Sequence, residues 1–166
     1  MPERVPAPKP NRPRNPDAPP KPERPRDELG RPLPFGETSR LEMEDFDSFS
    51  LERNHELGVG HFNAGRFFPA HEAWETSWKQ ARGTEDAEFF KGLSQLGAGY
   101  VHLQRGNAHG AVALLGRAAR RVGAFPSGHR GIDTLALRDR LLADISRIER
   151  GALVPGEDAT FEPPTV

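Results

Sequence analysis

The chain has 166 residues, of which 35% are hydrophobic and 17 are prolines, and its formal net charge at pH 7 is -1. Twelve of the prolines lie in residues 1–34, so the remainder has a nearly ordinary composition and can form one domain of roughly 100 residues. The small net charge argues against a protein that acts mainly by neutralising nucleic-acid phosphate, and the lack of cysteine excludes disulfides, thiolate metal sites and cysteine nucleophiles.

The sequence has no feature of a membrane or secreted protein. No apolar run approaches the roughly 18 residues of a membrane span, and residues 1–4 lead into no signal-peptide hydrophobic region. Together with the lack of cysteine, this predicts a cytoplasmic protein that binds neither membranes nor nucleic acid.

The first 46 residues are predicted to form a disordered arm rich in proline and arginine. Six prolines recur at an interval of three, which matches the turn of a polyproline II helix: Pro10, Pro13, Pro16, Pro19, Pro22 and Pro25. Such an arm can be a ligand for an aromatic groove, but the basic residues between the prolines favour a semi-rigid, solvated extension. The predicted division is an arm over 1–46, a helical domain over 47–151 and an irregular tail over 152–166.

Apolar residues follow a helical period from about residue 48 onward and predict five helices. The first ends at about Gly65, and the second covers about 66–81. Thr84, Asn107 and Asp133 are the predicted N-caps of the remaining three, the last of which ends near Arg150. Because the connections are short, the predicted fold is all-α, a compact antiparallel bundle of about five helices with tetratricopeptide-like hairpins.

A faint internal repeat supports the hairpins. Gly65 is followed five residues later by Ala70, and Gly106 by Ala111, at helix junctions that lie 41 residues apart. Tetratricopeptide hairpins use small residues at such positions, although that repeat runs at 34 residues and needs at least three units.

Polar residues interrupt the apolar face of the second helix. His71 and Glu75 are neighbours one turn apart on or beside that face, whereas Glu72 is predicted to point away. The pattern differs from the metalloprotease H-E-x-x-H because a carboxylate stands where the second histidine belongs. A histidine and a glutamate at this spacing can still bind a divalent ion if another helix supplies a third ligand.

The third helix has further polar groups beside its core face. Glu88, Gln95 and His102 repeat every seven residues, and Gly92 and Gly99 beside them indicate that another helix packs close. Helical-wheel geometry predicts convergence of six residues at one side of the bundle: His71, Glu75, Gln95, His102, Glu56 and Asn63.

Three interpretations of this cluster remain open. Histidine–carboxylate pairs can simply fix helix register through charge-assisted hydrogen bonds. The cluster can instead be a metal or small-ligand site, with His71, Glu75 and His102 as metal ligands, or it can perform general acid–base catalysis. Trp74 and Trp78, four residues apart, are more typical of a core than of a platform for stacking bases.

Three ordered motifs resemble the signatures of a known family. The first is Phe62-Asn63-Ala64-Gly65-Arg66-Phe67-Phe68, running into Ala70-His71-Glu72 with Glu75 and Trp78. The second is Phe90-x-Gly92-Leu93-x-Gln95-Leu96 with His102-Leu103-Gln104-Arg105-Gly106-Asn107 and Gly110-Ala111, and the third is Pro126 with Gly131-Ile132-Asp133. Over roughly residues 54–150 the chain resembles the bacterial domain-of-unknown-function family 309.

This resemblance implies a compact all-helical domain, in a family to which no firm activity is attached. The family's motif positions map here to ten residues: Asn63, Gly65, His71, Glu72, Glu75, Trp78, Gly92, Gln95, Gly106 and Asn107. Because these positions include much of the polar cluster, the resemblance favours a site that members of the family share.

The predicted function is a helical binding domain for a small ligand or a divalent metal. Its candidate ligand-binding residues are Asn63, His71, Glu72, Glu75, Trp78, Gln95 and His102. The alternative is a protein–protein interaction module of tetratricopeptide-like type, with the hairpins and the proline arm as contact surfaces, and a third option is a metal-assisted hydrolase. The expected partner is accordingly a small molecule or an unidentified protein.

Overall fold

A computed structural model describes residues 24–156 and 164–166 of the chain. Over these residues a short 3₁₀ helix, Phe46–Ser48, precedes five α-helices: α1 (Leu51–Asn63), α2 (Phe67–Gln80), α3 (Ala87–Gln104), α4 (Ala108–Val122) and α5 (Thr134–Glu149). Each α-helix packs against the next one along the chain, which confirms the predicted all-α fold. Among the helices of the described part, none combines the length and the apolar character that crossing a bilayer requires.

Local capping chemistry sets several helix ends. Asn107 Oδ1 accepts from the Gly110 N–H at 3.0 Å and Asp133 Oδ1 accepts from the Ala136 N–H at 3.1 Å, which confirms both predicted caps. The glycines after the first three α-helices have φ angles of +76° to +81°, where a residue without Cβ is favoured: Gly65, Gly83 and Gly106.

The N-cap predicted at Thr84 is wrong. Thr84 Oγ1 donates to the Ala81 carbonyl at 2.7 Å instead, and α3 begins after Asp86. The Asp86 side chain makes no cap bond, because its carboxylate accepts from His129 Nε2 at 2.8 Å and from Arg130 Nε at 2.6 Å. A contact with the α4–α5 loop has therefore replaced local capping.

The core consists of the apolar stripes that the helical period predicts. Among its buried residues are Phe62, Phe67, Ala70, Trp74, Phe89, Leu93, Leu96, Tyr100, Leu103, Leu115, Ala119, Val122, Leu137, Leu141 and Ile148. At the centre the Phe62 ring lies 5.8 Å from the rings of both Trp74 and Tyr100, measured between centroids. This aromatic cluster joins α1, α2 and α3.

Two glycines bring α3 and α4 into close contact, as predicted. A Cβ on Gly99 would lie 2.6 Å from Leu115 Cδ2, and one on Gly92 would lie 2.9 Å from Arg121 Cβ. Helix α4 therefore occupies the space that side chains at these positions would fill.

Residues 24–46, here called the strap, contact the helices at several points, although they belong to the predicted disordered arm and residues 34–40 are exposed. Gly30 packs on the ring of Phe68 in α2, and Arg105 Nη2 donates to the Leu29 carbonyl at 3.0 Å. The Arg26 guanidinium stands 5.0 Å from the centroid of the Phe68 ring, at cation–π distance.

A buried aspartate closes the turn of the strap. Asp27 Oδ1 accepts from the backbone N–H groups of Leu29 and Arg31, at 3.0 and 2.8 Å. Burial opposes the charged carboxyl, but the hydrogen bonds from Arg31 and the backbone outweigh it and hold the pKa of Asp27 below its ordinary value. The predicted disorder and polyproline II edge fall mainly on residues 1–23, which lie outside the described residues.

We predict that Gly30→Ala detaches this turn. The added Cβ would meet Phe68 Cδ2 at 2.3 Å, at a φ of +77° that already disfavours a side chain. Trypsin should then cleave after Arg26 faster than in the native chain, while the circular dichroism of the helices stays unchanged. Gly36→Ala is the matched control, because its φ is +95° but no atom lies within 4 Å of the added Cβ. Equal cleavage of the two variants would contradict the anchoring role of Gly30.

A buried polar contact between α3 and α5 gives a stability prediction. The Tyr100 hydroxyl donates to Asp144 Oδ2 at 2.6 Å, and the fully buried Asp144 carboxylate also accepts from Arg140 and Arg147. Tyr100→Phe removes the closest donor, so we expect the free energy of unfolding in urea to fall by about 1–3 kcal/mol. The exposed His109→Ala is the control, and a loss no larger than that of the control would show that the contact is not stabilising.

Candidate functional site

The contact between α2 and α3 positions a histidine on α2. A Cβ on Gly97 would lie 2.9 Å from both the backbone N and the Cα of His71, so glycine allows α2 to approach this closely. Ser94, one turn earlier on α3, then reaches the ring, and its carbonyl oxygen and Oγ each lie 2.9 Å from His71 Nδ1. Ser94 is only 5% exposed, so water has little access to these hydrogen bonds.

The contacts of Ser94 indicate which ring nitrogen of His71 has the proton. The Ser94 carbonyl oxygen can only accept, and the Ser94 hydroxyl has an acceptor of its own in the His71 carbonyl oxygen at 3.4 Å, so we assign the donor role to Nδ1. In the neutral ring, Nε2 then has a free lone pair. A metal-binding histidine usually donates its other ring N–H to a carbonyl or carboxylate in the same manner, which fixes the ring and the tautomer. The α2–α3 contact therefore prepares Nε2 as a ligand.

Two carboxylates of the same helix face that nitrogen. Glu75 Oε2 lies 3.5 Å and Glu72 Oε1 lies 3.9 Å from His71 Nε2, and one donor atom from each residue lies within 4.8 Å of the other two. We call these three residues the α2 triad. An ion bound at about 2.0–2.2 Å from each ligand needs donor atoms roughly 3–3.5 Å apart, so small side-chain rotations would close the triad around one ion.

The prediction that Glu72 points away is wrong. Its carboxylate turns toward His71, and 37% of its side chain is exposed. The strap contributes to this orientation of Glu72. Its Arg26 lies on the ring of Phe68, one turn before Glu72, and the positive charge of Arg26 attracts the Glu72 carboxylate. Lys79 pairs instead with Glu75, with Nζ 3.5 Å from Oε1.

The pKa of Glu72 is raised. Burial, which penalises the charged carboxylate, is the main cause, and the like charge of Glu75 adds to it. The positive charges of His71, Arg26 and Lys79 only partly offset these effects. Ionised Glu72 therefore destabilises the metal-free fold, and a bound cation would relieve that cost.

Gln95 does not join the triad. Its Oε1 accepts from Arg121 Nη1 at 3.0 Å, and Arg121 Nε donates to Glu88 at 2.9 Å. The polar stripe on α3, whose members repeat every seven residues, thus faces α4, because α2 packs on a different side of α3. This part of the predicted convergence is not present in the fold.

His102 also belongs to another network. Asn107 Oδ1 caps α4, so Asn107 Nδ2 is the group that donates to His102 Nδ1 at 3.0 Å. Because Nδ1 accepts, the proton of the neutral ring lies on Nε2. Burial lowers the pKa of His102, and the positive charges of Arg105 and His71 lower it further. The histidine therefore supports the start of α4 and is not in the triad.

The remaining predicted residues have separate contacts. Asn63 pairs with the backbone of Val166, and Glu56 forms a salt bridge with Arg53 at 3.0 Å. The Lys91 ammonium stands 5.2 Å from the centroid of the Trp78 ring. Ser94 and Gly97, which support His71, are not among the predicted site residues, although a polar residue and a glycine three positions apart on an otherwise apolar helix face are a usable signal.

Three grooves on the described surface are lined by residues outside the triad. One of about 430 Å³ lies beside His61 and Arg66, one of about 450 Å³ follows the strap, and one of about 570 Å³ lies beside Arg121. The triad itself is half-buried at the surface, since its side chains are 25–37% exposed. This geometry suits an ion better than a large organic ligand.

We predict that Glu72→Gln stabilises the metal-free protein in a pH-dependent way. A carboxyl whose pKa is raised by folding destabilises the fold when it is ionised, so the penalty is present at pH 7 and absent well below its ordinary value of 4.5. We expect the free energy of unfolding to rise by up to about 1 kcal/mol at pH 7, after allowing for solvent screening, and to rise much less at pH 4. Glu52→Gln, in the first turn of α1, is the control. A gain that is the same at both pH values would contradict the assignment.

Comparison with known proteins gives a family match. The model described as Domain of unknown function (DUF309) matches residues 56–114, whereas searches of the curated proteins and of the solved structures found no match. The matched segment runs from α1 into α4 and includes the triad, Ser94 and Gly97, while the third motif near Pro126 lies beyond it. The resemblance to the DUF309 family is thereby confirmed over the segment that contains the α2 triad.

Proposed function

We propose that this domain binds a divalent metal ion through His71 Nε2 and the carboxylates of Glu72 and Glu75. The main support is the orientation of the imidazole, since Ser94 takes the Nδ1–H and directs the Nε2 lone pair toward two carboxylates. A histidine–carboxylate pair that only fixes the helix register needs one carboxylate. The second carboxylate here, that of Glu72, destabilises the metal-free fold when it is ionised, and the binding of a metal ion would give it a role.

The ligand types indicate which ions fit. One imidazole nitrogen and two carboxylate oxygens suit zinc and related transition metals better than magnesium, which favours an all-oxygen environment. Three protein ligands on one helix leave further coordination positions to water or to a small ligand. Metal-assisted hydrolysis would need a substrate cavity as well, and the grooves above are lined by other residues, so we propose binding.

A protein-interaction module is the second candidate function. It is supported by the sequential helical hairpins and by Asn63, which bonds both backbone polar groups of Val166. This surface is separate from the triad, so the two functions do not exclude each other.

Isothermal titration of the full chain with Zn²⁺ tests the metal proposal. We expect one ion per chain, no comparable binding of Mg²⁺, and an affinity that falls as the pH is lowered, because the ligands must be deprotonated. The raised pKa of Glu72 makes the loss of this ligand begin at a higher pH than for an ordinary glutamate.

His71→Asn separates metal binding from folding. The asparagine amide can still donate to the Ser94 carbonyl but has no equivalent of Nε2, so we expect the helical circular dichroism to survive and the zinc titration to be lost. His109→Asn, an exposed histidine on α4, is the matched control and should bind zinc as the native chain does. Native binding by His71→Asn, or no binding by the native chain, would refute the site.

A further inference from the structure

Two guanidinium groups lie on the ring of Phe68, beside the α2 triad. The Cζ atoms of Arg26 and Arg105 are 5.0 and 5.9 Å from the centroid of that ring. Each group donates to a carbonyl of the strap, Arg26 Nη1 to Gly30 at 2.6 Å and Arg105 Nη2 to Leu29 at 3.0 Å. A carbonyl is neutral, and among the residues that the structure describes neither guanidinium forms a salt bridge with a carboxylate.

This phenylalanine places positive charge next to the triad. It lies one turn before Glu72, and the centroid of its ring is 6.1 Å from that of the His71 ring. The charge of Arg26 acts on the Glu72 carboxylate, and Lys79 Nζ lies 3.5 Å from Glu75 Oε1. Each of the two carboxylates of the triad therefore has a cationic neighbour.

The charges around the triad balance when no metal ion is bound. With both carboxylates ionised, Glu72 and Glu75 are matched by the positive charges of Arg26 and Lys79, and the neutral imidazole adds none. A divalent ion adds two positive charges to this half-buried site, and the guanidinium of Arg105 increases the surplus. A surplus of this size favours an anion that has two negative charges.

We propose that the metal-loaded triad binds a small phosphate-type dianion, of which a phosphate monoester is the simplest example. This inference rests on the proposed metal site. One oxygen of the dianion would take a coordination position that the three protein ligands leave open. The remaining oxygens would lie in the positive field of Arg26 and Lys79, and a guanidinium is well suited to phosphate oxygens. Without the ion, the carboxylates of Glu72 and Glu75 would repel the dianion.

Isothermal titration of the zinc-loaded full chain with methyl phosphate tests the proposal. At about pH 7.5 this monoester is a dianion, because its second pKa is about 6. Dimethyl phosphate and trimethyl phosphate have the same tetrahedral centre with one negative charge and none. We expect methyl phosphate to bind tightest, dimethyl phosphate to bind about tenfold more weakly or worse, and trimethyl phosphate not to bind.

Two controls establish that the bound metal ion is required. The metal-free native chain should not bind methyl phosphate, and His71→Asn with the same total zinc should not bind it either. Linkage gives a further check, because methyl phosphate must tighten zinc binding by the same factor by which zinc tightens the binding of methyl phosphate.

Charge substitutions identify the groups that face the dianion. Arg26→Gln should weaken methyl phosphate binding to the zinc-loaded chain about fivefold, and Arg26→Lys should restore most of it. Lys79→Gln does not alter the strap and should weaken binding about threefold. Neither Gln variant should weaken the binding of zinc alone, because each removes a positive charge. Arg40→Gln is the matched control, since Arg40 lies in the same strap but pairs with Glu28.

The outcomes separate this inference from the metal proposal. Zinc binding without methyl phosphate binding would overturn the inference and leave the metal site intact, whereas no zinc binding in the absence or presence of methyl phosphate would refute both. Equal binding of methyl phosphate to the metal-free chain would also overturn the inference. So would equal methyl phosphate affinities of the zinc-loaded Arg26→Gln, Lys79→Gln and Arg40→Gln chains.

Discussion

The candidate site depends on one contact, the approach of α2 to α3 at Gly97. Without a side chain at that position, the backbone around His71 lies against α3, and the Ser94 carbonyl can accept the Nδ1–H. That bond turns Nε2 toward Glu72 and Glu75. A change in the distance between α2 and α3 would therefore alter the orientation and the tautomer of the His71 ring, even if the rest of the core stayed the same.

Within the α2 triad, Glu72 is a destabilising group, and the fold is stabilised by contacts outside the triad. Burial and Glu75 raise the pKa of Glu72, so its ionised form is unfavourable in the metal-free domain. Stabilisation comes from distant features, such as the aromatic cluster around Phe62 and the contact of Tyr100 with Asp144. The strap brings the positive charge of Arg26 near the site and reduces the electrostatic penalty without removing it.

Local chemistry made most of the fold predictable from sequence. The apolar period placed the five helices, and Asn107 and Asp133 cap the last two because their side chains bond backbone groups three residues away. The N-cap predicted at Thr84 was wrong, because α3 begins after Asp86 and the Asp86 carboxylate binds residues of the distant α4–α5 loop. The position of Gln95 was also wrong. The apolar period shows that a polar stripe lies beside the core, but it does not show which helix faces that stripe.

The protonation of the His71 ring can be measured directly by long-range ¹H–¹⁵N NMR on the metal-free full chain, above the pH at which histidines are charged. The account predicts a protonated Nδ1 and an unprotonated Nε2, and predicts that only Nε2 changes its shift strongly when zinc is added. A proton on Nε2 in the neutral ring would contradict it, because the lone pair would then face Ser94 and no ligand would be directed at the carboxylates.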